Sequence, residues 1–424
     1  MGNSYVKYLT DSGQKVNAAT LSRFLQLCFV CRDKLIQNEV KKYCDLLKLH
    51  NQYLDASSSE SLILGLCLTE DWREGLVILK DVEKTCSPRS LALNALAETS
   101  MLHGEMEVSL DMMWRILHSK KKIADFVFNT WISKSKDNEK VLKVFMEFVS
   151  KNEIYLNTDV VKKLKDLFET KKGSKFKGEF TTINKAKGIC EQCKNKLKPS
   201  ALTSKEYAEL KSALMERVLQ GPDVFVGSTP KELENFQKFV EETSPYDIVI
   251  DGLNVAYLIN RNGSGKSKMT TLLTVVKYLA NLKKKILVLG KNHMHRWSPD
   301  IVREIQKKAS FFTTEDMSRD DPFLLYAALH SGRGTHFLSD DLMRDHMFRL
   351  KDHNLASLFR QWQHSSQLQL VQVHADGRVR IQLPAKYWTI TQCNNGHWHI
   401  PYDDGSPRFT YQLPETILCL KPVE

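Results

Sequence analysis

Three apolar stretches recur at a near-constant step in the first third of the chain, and that step restricts the fold more than any other feature. They are EGLVILKDV at 74–82, VSLDMMWRI at 108–116 and KVLKVFMEF at 140–148. Leu76, Leu110 and Leu142 stand 34 and 32 residues apart, and EVKKYCDLL at 39–47 precedes them by a similar step. Residues 18–151 carry helical periodicity with few strand signals. A period of this size belongs to stacked helical hairpins, because one hairpin cannot bury its apolar face without its neighbours. Ser87-Pro88 supplies a stop between hairpins, since proline cannot continue a helix. The expectation is an α-solenoid, with an ordinary helical bundle as the competing arrangement.

From residue 246 to about 360 the pattern changes to strand and helix in alternation. Strands are expected at 247–251 (DIVID), 284–290, 309–314 and 335–340, and helices at about 267–282, 298–308 and 320–331. This alternation predicts a doubly wound parallel α/β sheet, whose ligands bind beyond the carboxyl ends of the strands. The acids gather at those ends. Asp251 closes the first strand, Asp340 and Asp341 close the last, and Asp320 and Asp321 open a helix just after the third. Asp345 lies four residues past Asp341, the spacing that puts both on one side of a helix. A buried carboxylate needs a partner, yet YDIVIDGLNVAY at 246–257 holds neither Lys nor Arg. An arginine elsewhere, a metal ion or water at a cleft would serve. Converging carboxylates repel one another, and a hard divalent cation such as Mg²⁺ or Mn²⁺ relieves the conflict. One or two such ions can activate a water and stabilise the leaving oxygen of a phosphodiester. The plainer role of Asp320 and Asp321 is to cap a helix and favour its dipole.

The balance of 61 Lys and Arg against 50 Asp and Glu gives a formal charge of +11, which favours a polyanionic partner. There is no apolar run of membrane-spanning length, and MGNSYVKYLT has no signal-peptide core. The stretch at 161–188 is lysine-rich and punctuated by Gly173, Gly178 and Gly188; it reads as a linker that begins as the last helix of the solenoid. NGSGKSK at 262–268 looks like a phosphate loop, but the pattern needs Gly where Asn260 stands, so a flexible basic loop is expected.

Nine cysteines without a secretory signal argue against a disulfide framework. CFVC at 28–31 sits in an apolar helical run and reads as core thiols. CEQC at 190–193 follows Gly188 in a polar, basic stretch where core packing has no place. A structural zinc site needs four N or S ligands. Cys190 and Cys193 with His397 or His399 and Cys419 supply them; Cys393 competes for the fourth position, and a redox pair is the other reading of CEQC.

In this order, helical repeats, CxxC, DGLNVA, DDPFLLYAALHSG, SDDLMRDH, WHIPY and a terminal Leu-Cys, the chain resembles the protein-only ribonuclease P family over nearly its whole length, above all its animal mitochondrial branch. DDPFLLYAALHSG, LMRDH and WHIPY carry the resemblance; the CxxC and the repeats are widely shared. The resemblance implies a multidomain chain: an N-terminal α-solenoid of pentatricopeptide repeats over 1–170, a linker with a small bipartite zinc-bound central domain of β structure over 171–245 and 385–424, and an α/β nuclease domain of the NYN, PIN-like type with a parallel sheet over 246–384. It further implies a Mg²⁺-dependent endoribonuclease that removes the 5′ leader of precursor tRNA and leaves 5′-phosphate and 3′-hydroxyl ends. By motif, the catalytic and Mg²⁺-binding acids are Asp251, Asp320, Asp321 and Asp341, with Asp340 and Asp345 beside them, and the Zn²⁺ ligands are Cys190, Cys193, His399 and Cys419. Asp340 is a departure, standing where the family pattern leads one to expect a basic residue, so either it or Asp341 is the ligand. The animal branch implies a mitochondrial matrix location, against nucleus or cytoplasm, and a tRNA methyltransferase plus short-chain dehydrogenase subcomplex as partner; plant and protist relatives act alone. An RNA-binding repeat protein with an inactive nuclease domain, and a metallonuclease for another nucleic acid, are the alternatives.

Overall fold

The computed structural model describes residues 16–32, 37–50, 53–170, 176–184, 186–215, 228–258, 262–318, 321–341, 343, 353–374, 376–407 and 413–423. They form two compact units. The first holds the described residues up to Thr181 with 395–407 and those from Pro414; the second holds the described residues of 182–394 and Leu413.

The first unit is a stack of helical hairpins. Its helices are α1 (Ala18–Val30), α2 (Gln37–His50), α3 (Ala56–Leu66), α4 (Trp72–Glu83), α5 (Ser90–Leu102), α6 (Met106–His118), α7 (Asp125–Lys134), α8 (Glu139–Lys151) and α9 (Thr158–Thr170). Polar caps set several starts: Asn17 Oδ1 accepts from Thr20 N at 2.8 Å and Asp55 Oδ1 from Ser58 N at 2.7 Å. From α3 on, the odd helices begin at 56, 90, 125 and 158, steps of 34, 35 and 33 residues, which is the period read from the sequence. The odd helices pack on one another in succession, α1 on α3, α3 on α5, α5 on α7 and α7 on α9, while α4 and α6 each pair with the preceding odd helix. This explains α5, which is buried from Ala92 to Met101 on every side. Its buried polar members are tied: Asn94 Nδ2 donates to Ser90 O at 2.7 Å, Thr99 Oγ1 to Cys67 O at 3.2 Å, and Glu98 pairs with Arg32 at 3.1 Å. Polar ties recur at the same step: Lys121 Nζ donates to Pro88 O at 2.8 Å, Ala124 N to Asn94 Oδ1 at 2.7 Å, and Arg115 pairs with Glu83 at 2.7 Å. The solenoid thiols divide. Cys28 is core and burial pushes its thiol up to about 11, but Cys31, also expected in the core, is exposed beyond the end of α1.

The basic stretch expected to be a linker contains a nine-residue strand, β2 (Phe176–Asn184). With β1 (Leu156–Asn157), β3 (Ile189–Cys190), β10 (Gln392–Asn394), β11 (His397–Asp403) and β12 (Thr416–Pro422) it forms a sheet ordered β1-β11-β12-β2-β3, with β10 beside β11. Strands β11 and β12 are antiparallel, with Trp398 opposite Leu420, His399 opposite Cys419 and Ile400 opposite Leu418. Ile400, Leu418 and Leu420 join the core that also contains Val161 and Leu164 of α9.

The second unit holds α10 (Ser204–Ala213), α11 (Pro230–Thr243) and a sheet ordered β6-β5-β4-β7-β8-β9. Its strands are β4 (Ile248–Asp251), β5 (Ile286–Lys291), β6 (Ser310–Thr314), β7 (His336–Leu338), β8 (Gln367–Val373) and β9 (Val379–Gln382). Neighbours are parallel from β6 to β8, and β9 is antiparallel. Between the strands run α12 (Gly252–Leu258), α13 (Gly265–Asn281), α14 (Met294–Trp297), α15 (Pro299–Gln306), α16 (Asp321–Ser331) and α17 (His353–Ser366). All of β4 and β5 is buried, as both faces of a parallel sheet require. Alternate residues serve opposite cores. Ile248 and Ile250 meet Leu272 and Val276 on one face, and Val249 shares the other with Phe236, Phe323 and Trp362. The four expected strands are present; β8 and β9 were not foreseen. NGSGKSK is not a loop throughout, since α13 begins at Gly265. No described helix is long and apolar enough to cross a membrane.

Candidate active site and candidate metal centre

Strands β4, β5 and β6 follow one another toward one edge, and β7 returns to the other side of β4. The order of the sheet therefore reverses between β4 and β7, and the crevice at their carboxyl ends is where such sheets bind ligands. Asp251 is the last residue of β4, and Ser339, Asp340 and Asp341 follow β7 directly.

Asp251 is 8% exposed. Its Oδ1 accepts from Asn254 N at 2.9 Å, and its Oδ2 accepts from Ser339 Oγ at 3.1 Å. The partners of this buried carboxylate thus include a helix-start amide and a hydroxyl. Gly252 starts α12, which packs close on β5: a Cβ on it would lie 2.6 Å from Leu289 O. Asn254 also reaches across, its Oδ1 accepting from Asp340 N at 3.0 Å. Ser339 Oγ accepts from Asp341 N at 3.2 Å, and Gln367 Nε2 donates to Ser339 O at 2.6 Å and Asp341 O at 2.9 Å. Asp251, Asp340 and Asp341 are so tied into one network.

The members of that network differ in setting. Asp340 is half-buried, and burial pushes its carboxyl above the usual carboxylate range. Asp341 is exposed, with Oδ1 accepting from Met343 N at 2.7 Å. It is not helical, contrary to the reading that put it on one helix face with Asp345. Asp345 and Asp320 lie outside the described residues. Asp321 opens α16, which follows β6 and runs back to pack on β4 and β7. A crossover helix starts at the carboxyl edge of a parallel sheet, so Asp321 is on the same edge as Asp251.

Sequence reading missed the residues that hold this edge. Ser339 and Asn254 lay inside the quoted motifs but carry no charge. Lys291, 5% exposed at the end of β5, donates from Nζ to Glu315 O at 3.3 Å and to Ser318 O. Glu232 of α11, 9% exposed, accepts from Glu315 N at 2.6 Å and Ser318 Oγ at 2.8 Å. Two buried side chains of opposite charge therefore grip the loop that leads into Asp321. A lysine closing an otherwise apolar strand, ILVLGK, was the available signal; Glu232 gave none.

The second group is sulfur-rich. Cys190, Cys193, His399 and Cys419 offer one ligand atom each, and these atoms lie within 4.8 Å of one another. Cys190, His399 and Cys419 are fully buried. Two local devices build the set. One is a tight turn: Cys190 N donates to Asn195 O and Lys194 N to Cys190 O, both at 3.0 Å, with Lys194 at φ +60°. The other is the direct cross-strand pair of His399 and Cys419, whose side chains share a face. Three sulfurs and one imidazole match a closed tetrahedral zinc-type site, in which sulfurs at ~2.3 Å from the ion stand roughly 3.8 Å apart. Cys393 and His397, the competitors from sequence, are not in the set.

The family model for protein-only RNase P matches residues 184–419. The mitochondrial ribonuclease P catalytic subunit of Rattus norvegicus is 32% identical over 413 residues, 95% of this chain and 69% of the relative. The chain belongs to the protein-only RNase P family. The Mus musculus subunit of the same description is 32% identical over 412 residues, with the same coverage. A crystal structure of nuclear proteinaceous RNase P 2 from Arabidopsis thaliana matches with a TM-score of 0.64 over 100% of this chain and 95% of that one; at 15% identity this speaks for a shared fold. The protein-only RNase P match spans both groups, from before Cys190 to Cys419.

Proposed function

We propose that this ribonuclease P, an endoribonuclease by its family, removes the 5′ leader of precursor tRNA at the crevice between the ends of β4 and β7. The observation that carries the reading is the tie of Asp251 to Ser339 at the reversal point of the sheet, with Asp340, Asp341 and the start of α16 along the same edge. Asp251, Asp320, Asp321 and Asp341 would hold one or two Mg²⁺ ions. The fit is chemical: carboxylate oxygens along one sheet edge, from buried Asp251 to exposed Asp341, are the donors that a hard cation takes. Such an ion, when bound, lowers the pKa of water and stabilises a leaving oxygen. The protein's part is to fix its carboxylates. Ser339 and the Asn254 amide orient Asp251, and Gln367 holds the backbone that carries Asp341. The products would carry a 5′-phosphate and a 3′-hydroxyl.

Cys190, Cys193, His399 and Cys419 would hold one structural Zn²⁺. The helical hairpins would be pentatricopeptide repeats that recognise the folded tRNA by shape, and the α/β unit a nuclease of the NYN type. The rat and mouse relatives are named mitochondrial, which supports that location; a methyltransferase–dehydrogenase subcomplex would be the partner. The test is incubation of the chain with labelled precursor tRNA, single-stranded RNA and duplex DNA in Mg²⁺ or EDTA, with and without those partners. One Mg²⁺-dependent cut at the leader junction is expected. Cutting of all three substrates alike, or of none even with the partners, would overturn the reading.

A further inference from the structure

The same sheet edge carries a group of rings and cations that the acids do not use. On α12, Tyr257 lies three residues beyond Asn254, so both occupy one face of that helix, a single turn apart. Asn254 binds the backbone of Asp340; Tyr257 is 36% exposed. Lys268 of α13 holds its Nζ 3.9 Å from the centre of the Tyr257 ring and 5.6 Å from that of Trp297. The Tyr257 and Trp297 rings meet edge to face, 5.8 Å apart. Two neighbours brace Trp297. His293 lies against it at 5.0 Å, its own Nδ1 2.7 Å from Asp316 Oδ1. Gly265 lies so close that a Cβ there would be 2.6 Å from the indole, so NGSGKSK is shaped to cover this ring rather than a phosphate.

These residues come from the segments after β4, β5 and β6, the carboxyl edge that also bears the acids. An exposed ring backed by a lysine and a second, braced ring is the usual means of holding an unpaired base without reading its sequence. Duplex RNA offers no free base face, so the ring suits single-stranded RNA. We propose that Tyr257, with Lys268 and Trp297 behind it, stacks an unpaired base of the leader strand as that strand passes the acids. The inference rests on the function proposed above and deepens it by assigning a leader subsite.

The test compares the affinity of the full chain for precursor tRNA with a single-stranded leader and for the same tRNA without it, in EDTA so that nothing is cut. Tyr257→Ala should weaken leader-bearing RNA about tenfold, the scale of one lost base stack, and leave the leaderless RNA unchanged. Tyr257→Phe keeps the ring and should bind like the parent chain. Lys268→Gln should lower the salt dependence for the leader-bearing RNA alone. Equal losses on both RNAs, or no loss on either, would overturn the subsite. Cleavage in Mg²⁺, with and without the partners, is scored separately: leader binding through Tyr257 without cleavage in either case leaves the subsite standing and removes the nuclease reading.

Discussion

The sulfur-rich group and the acid edge are both clusters of metal-type ligands, yet they are built in opposite ways. The first is complete among the described residues and closed, with three of its four members fully buried. Rigid devices place it: a hydrogen-bonded turn and a cross-strand pair. The second is graded, from buried Asp251 through half-buried Asp340 to exposed Asp341, and hydroxyl and amide groups on three segments hold it. Closed soft-ligand sites contribute to folding, while open oxygen sites leave room for water and substrate. The first should therefore govern stability and the second rate.

The sharpest way to break that contrast is at the acids. Asp321→Asn and Asp251→Asn should each lower single-turnover cleavage by at least ~100-fold while melting close to the parent chain. Retained cleavage in both would remove the acid edge from the chemistry. Comparing Asp340→Asn with Asp341→Asn sharpens the assignment, with Asp341→Asn expected to be the more damaging.

At the other group, metal analysis should find about one zinc per chain. Cys190→Ala and Cys419→Ala should lose that zinc and melt roughly 5–10 °C lower, whereas Cys393→Ala and Cys28→Ala should keep it. Zinc that survives Cys419→Ala would refute the four-ligand set.

Acid pH tests the same division within the second unit. His364 lies against Trp388, its Nε2 enclosed, and burial pushes its imidazole down from 6.5 to about 4. A base with a lowered pKa resists protonation only when folded. Its full contribution is thus present above pH 6.5 and is lost as pH falls toward 4, with about 2 kcal/mol gone at pH 5. Denaturant melts across that range should slope downward, and His364→Phe should flatten the slope; an unchanged slope would exclude His364 as its source.

The smallest effect concerns the groups that hold the acids. Ser339→Ala removes one hydrogen bond to Asp251 and should slow cleavage about fivefold, with part of the loss recovered at high Mg²⁺ and zinc content unchanged. A purely structural role for Ser339 would give lower melting without Mg²⁺ rescue.

Much of the architecture was legible because it rests on local periodicity. The step of the helical stack and the alternation around β4 to β7 follow from which residues are apolar, and each was read close to its observed bounds. Strands β8 and β9 and the pairing of β2 were not. QLQLVQV alternates but breaks step at Leu370-Val371, where its pairing with β9 shifts register, and β2, FKGEFTTIN, carries an interior glycine and follows a lysine-rich stretch, so burial by distant neighbours decides that they are strands. The four sulfur and imidazole ligands were within reach because CEQC is a local motif, but the exclusion of Cys393 depends on the register that sets His399 opposite Cys419.

By itself the sequence determined the helical stack, the α/β alternation and the acids at strand ends, since these depend on spacing along the chain. Only the tertiary structure decided what those acids touch. The partners of Asp251 include the Ser339 hydroxyl, 88 residues away, and the loop before Asp321 is gripped by Glu232, 86 residues from Ser318. Strand order, not chain order, makes such neighbours. A hydroxyl or a lone glutamate has no signature until the sheet brings it to the same edge.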